Sequence, residues 1–506
     1  MSIDSLSTLQ CIAGIAAATS AAAILYNKHQ AAPATKDGIP LPLGPPARWF
    51  WENAFPASNI ARTLADWVVD HGPIMSLRQG SRVIMIVGRV DAATEIMEKE
   101  GMALVDRPRL IASGELVSGG MRLLLIGSGE RFCCLRKAIH PYLQPKAAET
   151  YQEMQRDAAR DVILDILNDP KHHIKHAQRY ADSVILRLTY GKSTLTSDDN
   201  PEVVRIHEVV RNILAAMRRG AYLVDRIPLL KYIPGYGRVL KKYHKFELAL
   251  FRDQLGRVMD DISKNEASPS FGRTLLENTH EHQLSNDEMA YLAGSLFGAG
   301  SDTACSTASG IMILILAVAC HPEAQARVQE EMDTVVGKDR APTFEDWNQL
   351  PQLHAFISEA LWRPIVPLGF AHHATKDVIW RGQCIPAGAT VFGCHWAISR
   401  DPIAFPDPET FDPQRWLDPT AQLRTDMRFF TYSFGRRACP GIHVANRSLY
   451  INFALLMWSF RIMERPDAPI DVNVFTDAVN SRPAPLEAEF VPRMEEHKLR
   501  EMMEGM

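Results

Sequence analysis

The eight cysteines form no Cys-x-x-Cys pair and show no regular spacing. That argues against a disulfide framework or a zinc module and fits a reducing compartment. No Gly-x-Gly-x-x-Gly follows a predicted strand, so the chain lacks a flavin or nicotinamide fingerprint. There is no basic excess: the formal net charge is −4 with 23% charged residues, which gives no reason to invoke nucleic acid. The N-terminal start carries Asp4 but no Lys or Arg, unlike a cleaved signal peptide. The charged C-terminal tail, read as a solvated helix, has no retrieval signal. No internal linker interrupts the 506 residues. Although that length alone would suggest about three domains, the chain reads as one large unit.

Residues 9–26 are uncharged and rich in Ala, Ile and Leu, near the minimum for a membrane span. The alternative is an amphipathic or buried helix. Lys28, His29 and Lys36 follow, which puts the body on the cytosolic side of such a span. A proline-rich stretch at 39–46 would hold the body at a set angle to a bilayer, or serve as an ordinary linker. The expected organisation is an anchor at 1–30, a hinge at 31–50 and a catalytic unit at 51–506. Short apolar runs at 74–77 and 83–87 around a Gln-Gly-Ser turn predict a hairpin. Most of the chain beyond this hairpin has helical period, so the fold class is mainly α with a small β region, preceded by one N-terminal transmembrane helix. The apolar segment 224–237, broken by prolines, is a loop that touches lipid or a packed connector. The paired His172 and His173 read as surface residues.

The chain is organised around residues 432–441, Tyr-Ser-Phe-Gly-Arg-Arg-Ala-Cys-Pro-Gly. Gly435 permits a tight backbone path. Pro440 suits the first position of the helix predicted over 442–460. A sulfur at a helix N-terminus, with Arg437 two residues back, is favoured as thiolate. A thiolate held by protein N–H groups is what a haem iron needs as proximal ligand. The bland alternative for Cys439 is a buried free thiol. A second unusual stretch lies halfway along a long helix predicted over 285–320: Ala299-Gly-Ser-Asp-Thr303. Glycine, acid and alcohol in mid-helix oppose helix propensity, and such conflict marks function. Gly300 would let a planar cofactor approach. Thr303 can bond a carbonyl one turn back and open the helix. Asp302 and Thr303 would then relay protons.

These stretches resemble the cytochrome P450 family. Gly435, Arg437, Cys439 and Gly441 match its Phe-x-x-Gly-x-Arg-x-Cys-x-Gly pattern, with Tyr432 replacing Phe and adding a hydroxyl that needs a partner. Residues 299–303 match the family's Ala/Gly-Gly-x-Asp/Glu-Thr motif throughout. The helix around Phe132 and Arg136 is similar to the family's Trp-x-x-x-Arg. The resemblance implies the P450 fold and a haem b cofactor (iron protoporphyrin IX). Cys439 would be its axial ligand, Arg136, His372 and Arg437 would hold its propionates, and Phe434, Gly435 and Gly441 would shape the loop. The glycine-punctuated segment 104–128 would cover the substrate, and residues 476–481 would turn into the pocket. Asn446 opens a glycosylation sequon that its place in a cytosolic helix discounts.

One departure stands out. The family carries Glu-x-x-Arg behind the haem, whereas this chain reads Glu359-Ala-Leu-Trp362-Arg363-Pro364. Arg363 precedes a proline and is expected at or past the helix end, leaving Arg415 as the sole partner of Glu359. The resemblance implies a haem-thiolate monooxygenase of the microsomal, fungal type on the endoplasmic reticulum membrane. It would take O2 and electrons from an NADPH–cytochrome P450 reductase, docked near Lys137, Arg428 and Arg436. Its substrate would be an apolar small molecule, such as a terpenoid secondary metabolite. Two alternatives stay open: a non-catalytic or impaired haem-binding protein, for want of that arginine, and a haem enzyme that rearranges peroxides or dehydrates.

Overall fold

The computed structural model describes residues 38–47, 53, 55–56, 58–80, 82–192, 200–218, 220–301, 307–362, 366–427, 430–476 and 481–506. The expected span at 9–26, its flanking Lys28, His29 and Lys36, and Asp302, Thr303, Arg363 and Arg428 lie outside these residues. Among the described residues, no single helix is long and apolar enough to cross a membrane.

The longer helices are α1 (Ile60–His71), α2 (Glu130–Leu143), α3 (Gln152–Asn168), α4 (His173–Tyr190), α5 (Pro201–Met217) and α6 (Arg238–Ser263). They continue with α7 (Asn286–Ser301), α8 (Thr307–Cys320), α9 (Pro322–Val335), α10 (Pro351–Leu361), α11 (Ile442–Ser459) and α12 (Glu496–Glu504). The pair α7 and α8 runs through the middle. Its sequence dictates this: α8 is apolar on every side and buried from Ala308 to Ala319, as a helix without a polar face must be. It packs against α4, α10 and α11, while α7 packs against α4, α5 and α6. The predicted cap holds. The Glu288 amide donates to Ser285 Oγ (3.3 Å) and the Ser285 amide donates to Glu288 Oε2 (3.0 Å), the reciprocal pairing of a capping box. Pro322 starts α9 at an angle of 106° to α8.

The β region is small. Strands β1 (Ile74–Gln79) and β2 (Arg82–Val87) form the predicted hairpin, pairing from Ile74 with Val87 to Gln79 with Arg82. With β3 (His372–His373) and β6 (Thr390–Gly393) they make a four-stranded sheet in the order β1-β2-β6-β3. Strand β6 runs parallel to β2 and antiparallel to β3, with His372 opposite Val391. Among the described residues, β4 (Val378–Trp380) pairs with β5 (Gln383–Ile385) and β7 (Phe460–Glu464) with β8 (Ala488–Pro492) as two-stranded antiparallel sheets.

Several expectations are corrected. Helix α11 begins at Ile442 with Gly441 as its cap, so Pro440 lies before the helix. The first intrahelical bond runs from the Ala445 amide to the Gly441 carbonyl, because the loop completes its own turn first. The tail helix α12 is docked: Leu499 and Met503 are buried in the main core, an apolar stripe hidden by its high charge. His173 is buried, its Nδ1 bonded to the Pro170 carbonyl (3.1 Å) and its ring packed on Phe490. His172 stays at the surface beside Asp169.

Candidate functional site

The Cys439 loop is a 3-10 turn, Gly435–Arg437, followed by an extended step into α11. The Cys439 amide donates to the Tyr432 carbonyl (2.8 Å) and closes the loop. Gly435 has φ +52, and a Cβ there would lie 2.8 Å from the Met97 carbonyl oxygen, so glycine is required both by conformation and by space. Gly441 keeps the flank of the sulfur open, since its Cβ would sit 4.0 Å from Sγ. The Tyr432 hydroxyl finds its partner: it donates to Asn446 Oδ1 on α11 (2.7 Å). That bond ties the loop to the helix and engages the asparagine of the discounted sequon. Phe434 is fully buried, against Gly393 and Met97 and beside Phe430 and His395. It secures the loop from the core side.

Beside this loop the structure gathers cations. Arg136 on α2 is half-buried and donates to the Ala438 carbonyl (3.1 Å). Arg437 donates to the carbonyls of Val105 (2.6 Å) and Ile126 (2.8 Å), and Phe132 lies under its guanidinium at 3.6 Å. The ring, which stands where the family has an indole and has no N–H to donate, supports the guanidinium by a cation–π contact. Burial lowers the Arg437 pKa to about 10; Asp106 opposes the shift and Arg136 adds to it. The sequence reading missed Arg107. It is buried, donates to the Ala371 carbonyl (2.6 Å), and is pushed down to about 9 by burial and by Arg437. Its only signal was an arginine before a proline, between Asp106 and Arg109. His372 on β3 donates through Nδ1 to the Leu104 carbonyl (2.7 Å), leaving a buried Nε2 with no partner. Burial and the neighbouring Arg107 drive its pKa to about 3.

This group fits an acidic cofactor. Buried cations satisfied mainly by neutral carbonyls carry uncompensated charge, and a molecule bearing two carboxylates would offset it. Arg107, Arg136 and Arg437 would hold those carboxylates, with the Cys439 sulfur available as the metal ligand; His372, expected with them, is neutral with its one N–H spent on the Leu104 carbonyl, so its Nε2 accepts rather than donates. Bound there, a haem would supply O2 activation tuned by the thiolate. On the central helix Ala299 is exposed while Leu296, Phe297 and Gly298 around it are buried, so the core opens at this point, three residues before Asp302. The role expected of Gly300 is corrected: its Cβ would meet Ile185 Cγ1 at 2.4 Å. The glycine lets α7 approach α4, because its bare side faces that helix.

The Glu359 cluster is richer than expected. Arg415 Nε lies 3.2 Å from Glu359 Oε2, yet Trp416 Nε1 also donates to that oxygen (2.7 Å) and the Asp412 amide donates to Oε1 (2.8 Å). Arg415 is therefore not its sole partner. Trp362, where the family has arginine, is buried with its indole nitrogen unbonded and its ring 5.1 Å from the Arg415 guanidinium carbon. Burial, incompletely offset by Arg415, raises the Glu359 pKa to about 7.

A family model described as cytochrome P450 matches residues 42–490. Cytochrome P450 monooxygenase 64 of Postia placenta is 47% identical over 457 residues, covering 90% of this chain and 92% of that protein. Cytochrome P450 monooxygenase 88 of the same fungus shows the same identity and coverage. Cytochrome P450 monooxygenase fogE of Aspergillus ruber is 32% identical, covering 85% of this chain and 82% of its own. The chain belongs to the cytochrome P450 family. It is a haem b monooxygenase by class, using O2, a redox partner and an organic substrate.

Proposed function

We propose that this chain hydroxylates an apolar small molecule of fungal secondary metabolism, such as a terpenoid, with electrons from an NADPH–cytochrome P450 reductase. The observation that carries the reading is the apolar character of the segment expected over the substrate: Ile111, Ala112 and Val117 are buried against Ile213 and Ala216 of α5 and Leu240 of α6 in one apolar cluster. Exposed Lys137 and Arg436 support a reductase contact beside the Cys439 loop. We place the protein on the endoplasmic reticulum membrane, with an anchor at 1–30, a hinge at 31–50 and the catalytic unit at 51–506. Support comes from the segment 224–237, where Leu229 and Tyr232 are 74% and 71% exposed and Ile227 and Ile233 half-exposed. The β1–β2 hairpin borders it, as Arg82 Nη2 donates to the Asp225 carbonyl (3.2 Å).

The test is the carbon monoxide difference spectrum of the reduced protein, followed by NADPH consumption and product analysis with reductase over terpene and polyketide scaffolds. Cys439→Ser is expected to abolish both the thiolate-type band and product. Unchanged oxidation in that variant would refute the assignment. The buried, unbonded indole of Trp362 favours a second reading, an enzyme that loads haem poorly. Inserting Arg between Leu361 and Trp362 should then raise haem occupancy, and an unchanged occupancy excludes it.

A further inference from the structure

In a chain whose acids outnumber its Lys and Arg, 59 to 55, the stretch 226–246 holds no acid at all. It carries Arg226, Lys231, Arg238, Lys241, Lys242 and Lys245. The last four are exposed on the first turns of α6. Their spacing of three, one and three residues puts them on one face of the helix. The acids nearest to this face are turned inward. Asp225 Oδ1 accepts from the amides of Ile111 (2.6 Å) and Ala112 (3.0 Å). Glu115 pairs with Arg109 and with Lys231 (2.9 Å). Glu247 is buried in its pair with Arg122. Spent on amides and on other cations, these carboxylates leave the positive charge of Arg238, Lys241, Lys242 and Lys245 facing solvent. Beside it, Leu229, Tyr232, Ile233 and Val239 are exposed as well.

We propose that the exposed side of 227–245 docks on anionic lipid headgroups, such as phosphatidylserine or phosphatidylinositol. The proposal rests on the membrane placement given above and adds to it a demand on lipid charge. Leu229, Tyr232 and Ile233 enter the boundary of the acyl region, while the four α6 cations stay among the headgroups. A polyanion such as nucleic acid would answer the cations and leave the apolar side chains in water. A neutral bilayer would take the apolar side chains and give the cations little, whereas an anionic surface attracts each one. The surface is also preformed. Asp225 and Lys231 fasten it to Ile111, Ala112 and Glu115, so little conformational freedom is lost on docking.

The experiment uses the full-length, haem-loaded protein in bilayer discs of phosphatidylcholine alone, or with about one-third phosphatidylserine. Amide hydrogen exchange reads residues 226–237. Exchange there should be at least about fivefold slower in the anionic discs. High salt should remove the difference, as should the combined variant Arg238→Gln, Lys241→Gln, Lys242→Gln and Lys245→Gln. If that variant does not fold, the salt dependence of the parent decides alone. Exchange that is equal in both discs, yet slower than in detergent, would keep the membrane contact and overturn the demand for anionic lipid. Exchange as fast in both discs as in detergent would overturn both readings. Slowing that needs added reductase, or that appears without lipid as protein concentration rises, would give the face to that protein or to a second copy and overturn the proposal.

Discussion

Two buried charge clusters in this protein differ in balance: one carries surplus cation, the other pairs one carboxylate with one arginine. Beside the Cys439 loop, Arg107, Arg136 and Arg437 are satisfied mainly by carbonyl oxygens and by a phenyl ring, with Asp106 as the nearby acid. Around Glu359, a carboxylate has one arginine, an indole and an amide where the family supplies a second arginine. Surplus cation lines a place where a dianionic cofactor belongs, so the imbalance disappears on loading. At Glu359 one cation meets one carboxylate, and burial in the scaffold is what penalises the charge. Burial of charge alone does not distinguish a site from a weak point. The distinction lies in whether an incoming group can reach it.

The comparison is broken most easily from the cation side. Arg437→Leu, and separately Arg107→Leu, should weaken haem retention by roughly ten- to a hundredfold, since each removes a charged hydrogen-bond partner. Haem transfer to an acceptor protein measures it. Retention equal to the parent's in both would mean the cations serve the fold alone.

An effect of similar size sharpens the carboxylate side. The folded-state pKa of Glu359 is raised above its ordinary value. Its stabilising contribution is therefore full below about 4.5 and is lost as pH rises through about 7, a swing of roughly 3 kcal/mol. His372 and His395, lowered to about 3 and about 4 by burial, act the other way, costing stability as pH falls below 6.5. The clean measurement is thus a difference: denaturant midpoints of the parent and Glu359→Gln from pH 5 to 8. The gap between them should change steadily with pH, and a constant gap would sink the assignment. Trp362→Arg should flatten the same slope by keeping Glu359 ionised.

The smallest effect comes from Tyr432→Phe, which restores the family's usual ring. It leaves Asn446 Oδ1 without its 2.7 Å donor and should cost about 1 kcal/mol, read as a lowered Tm with the carbon monoxide band intact. No change in Tm would show that the hydroxyl is incidental.

The cysteine loop, the capping box and the β1–β2 hairpin were legible because each is local: spacing, propensity and turn chemistry act within ten residues. Arg107 was not, because its meaning comes from burial against Ala371, far along the chain. Gly300 was misassigned because the same missing Cβ serves a cofactor or a neighbouring helix, and only Ile185 at 2.4 Å decides between them. His173 and the tail helix were mistaken for surface because polar residues advertise exposure, while packing against Phe490 and α3 buries what they carry.

By itself, the sequence determined the class of this protein, through one cysteine in a glycine-bounded loop, and the central place of α8, a helix too apolar to lie anywhere but the core. The tertiary structure alone decided which charges share a space. Partners more than a hundred residues apart, such as Arg437 and Val105 or Asp182 and Ser301, meet only when the helices pack, and electrostatic balance depends on distance in space.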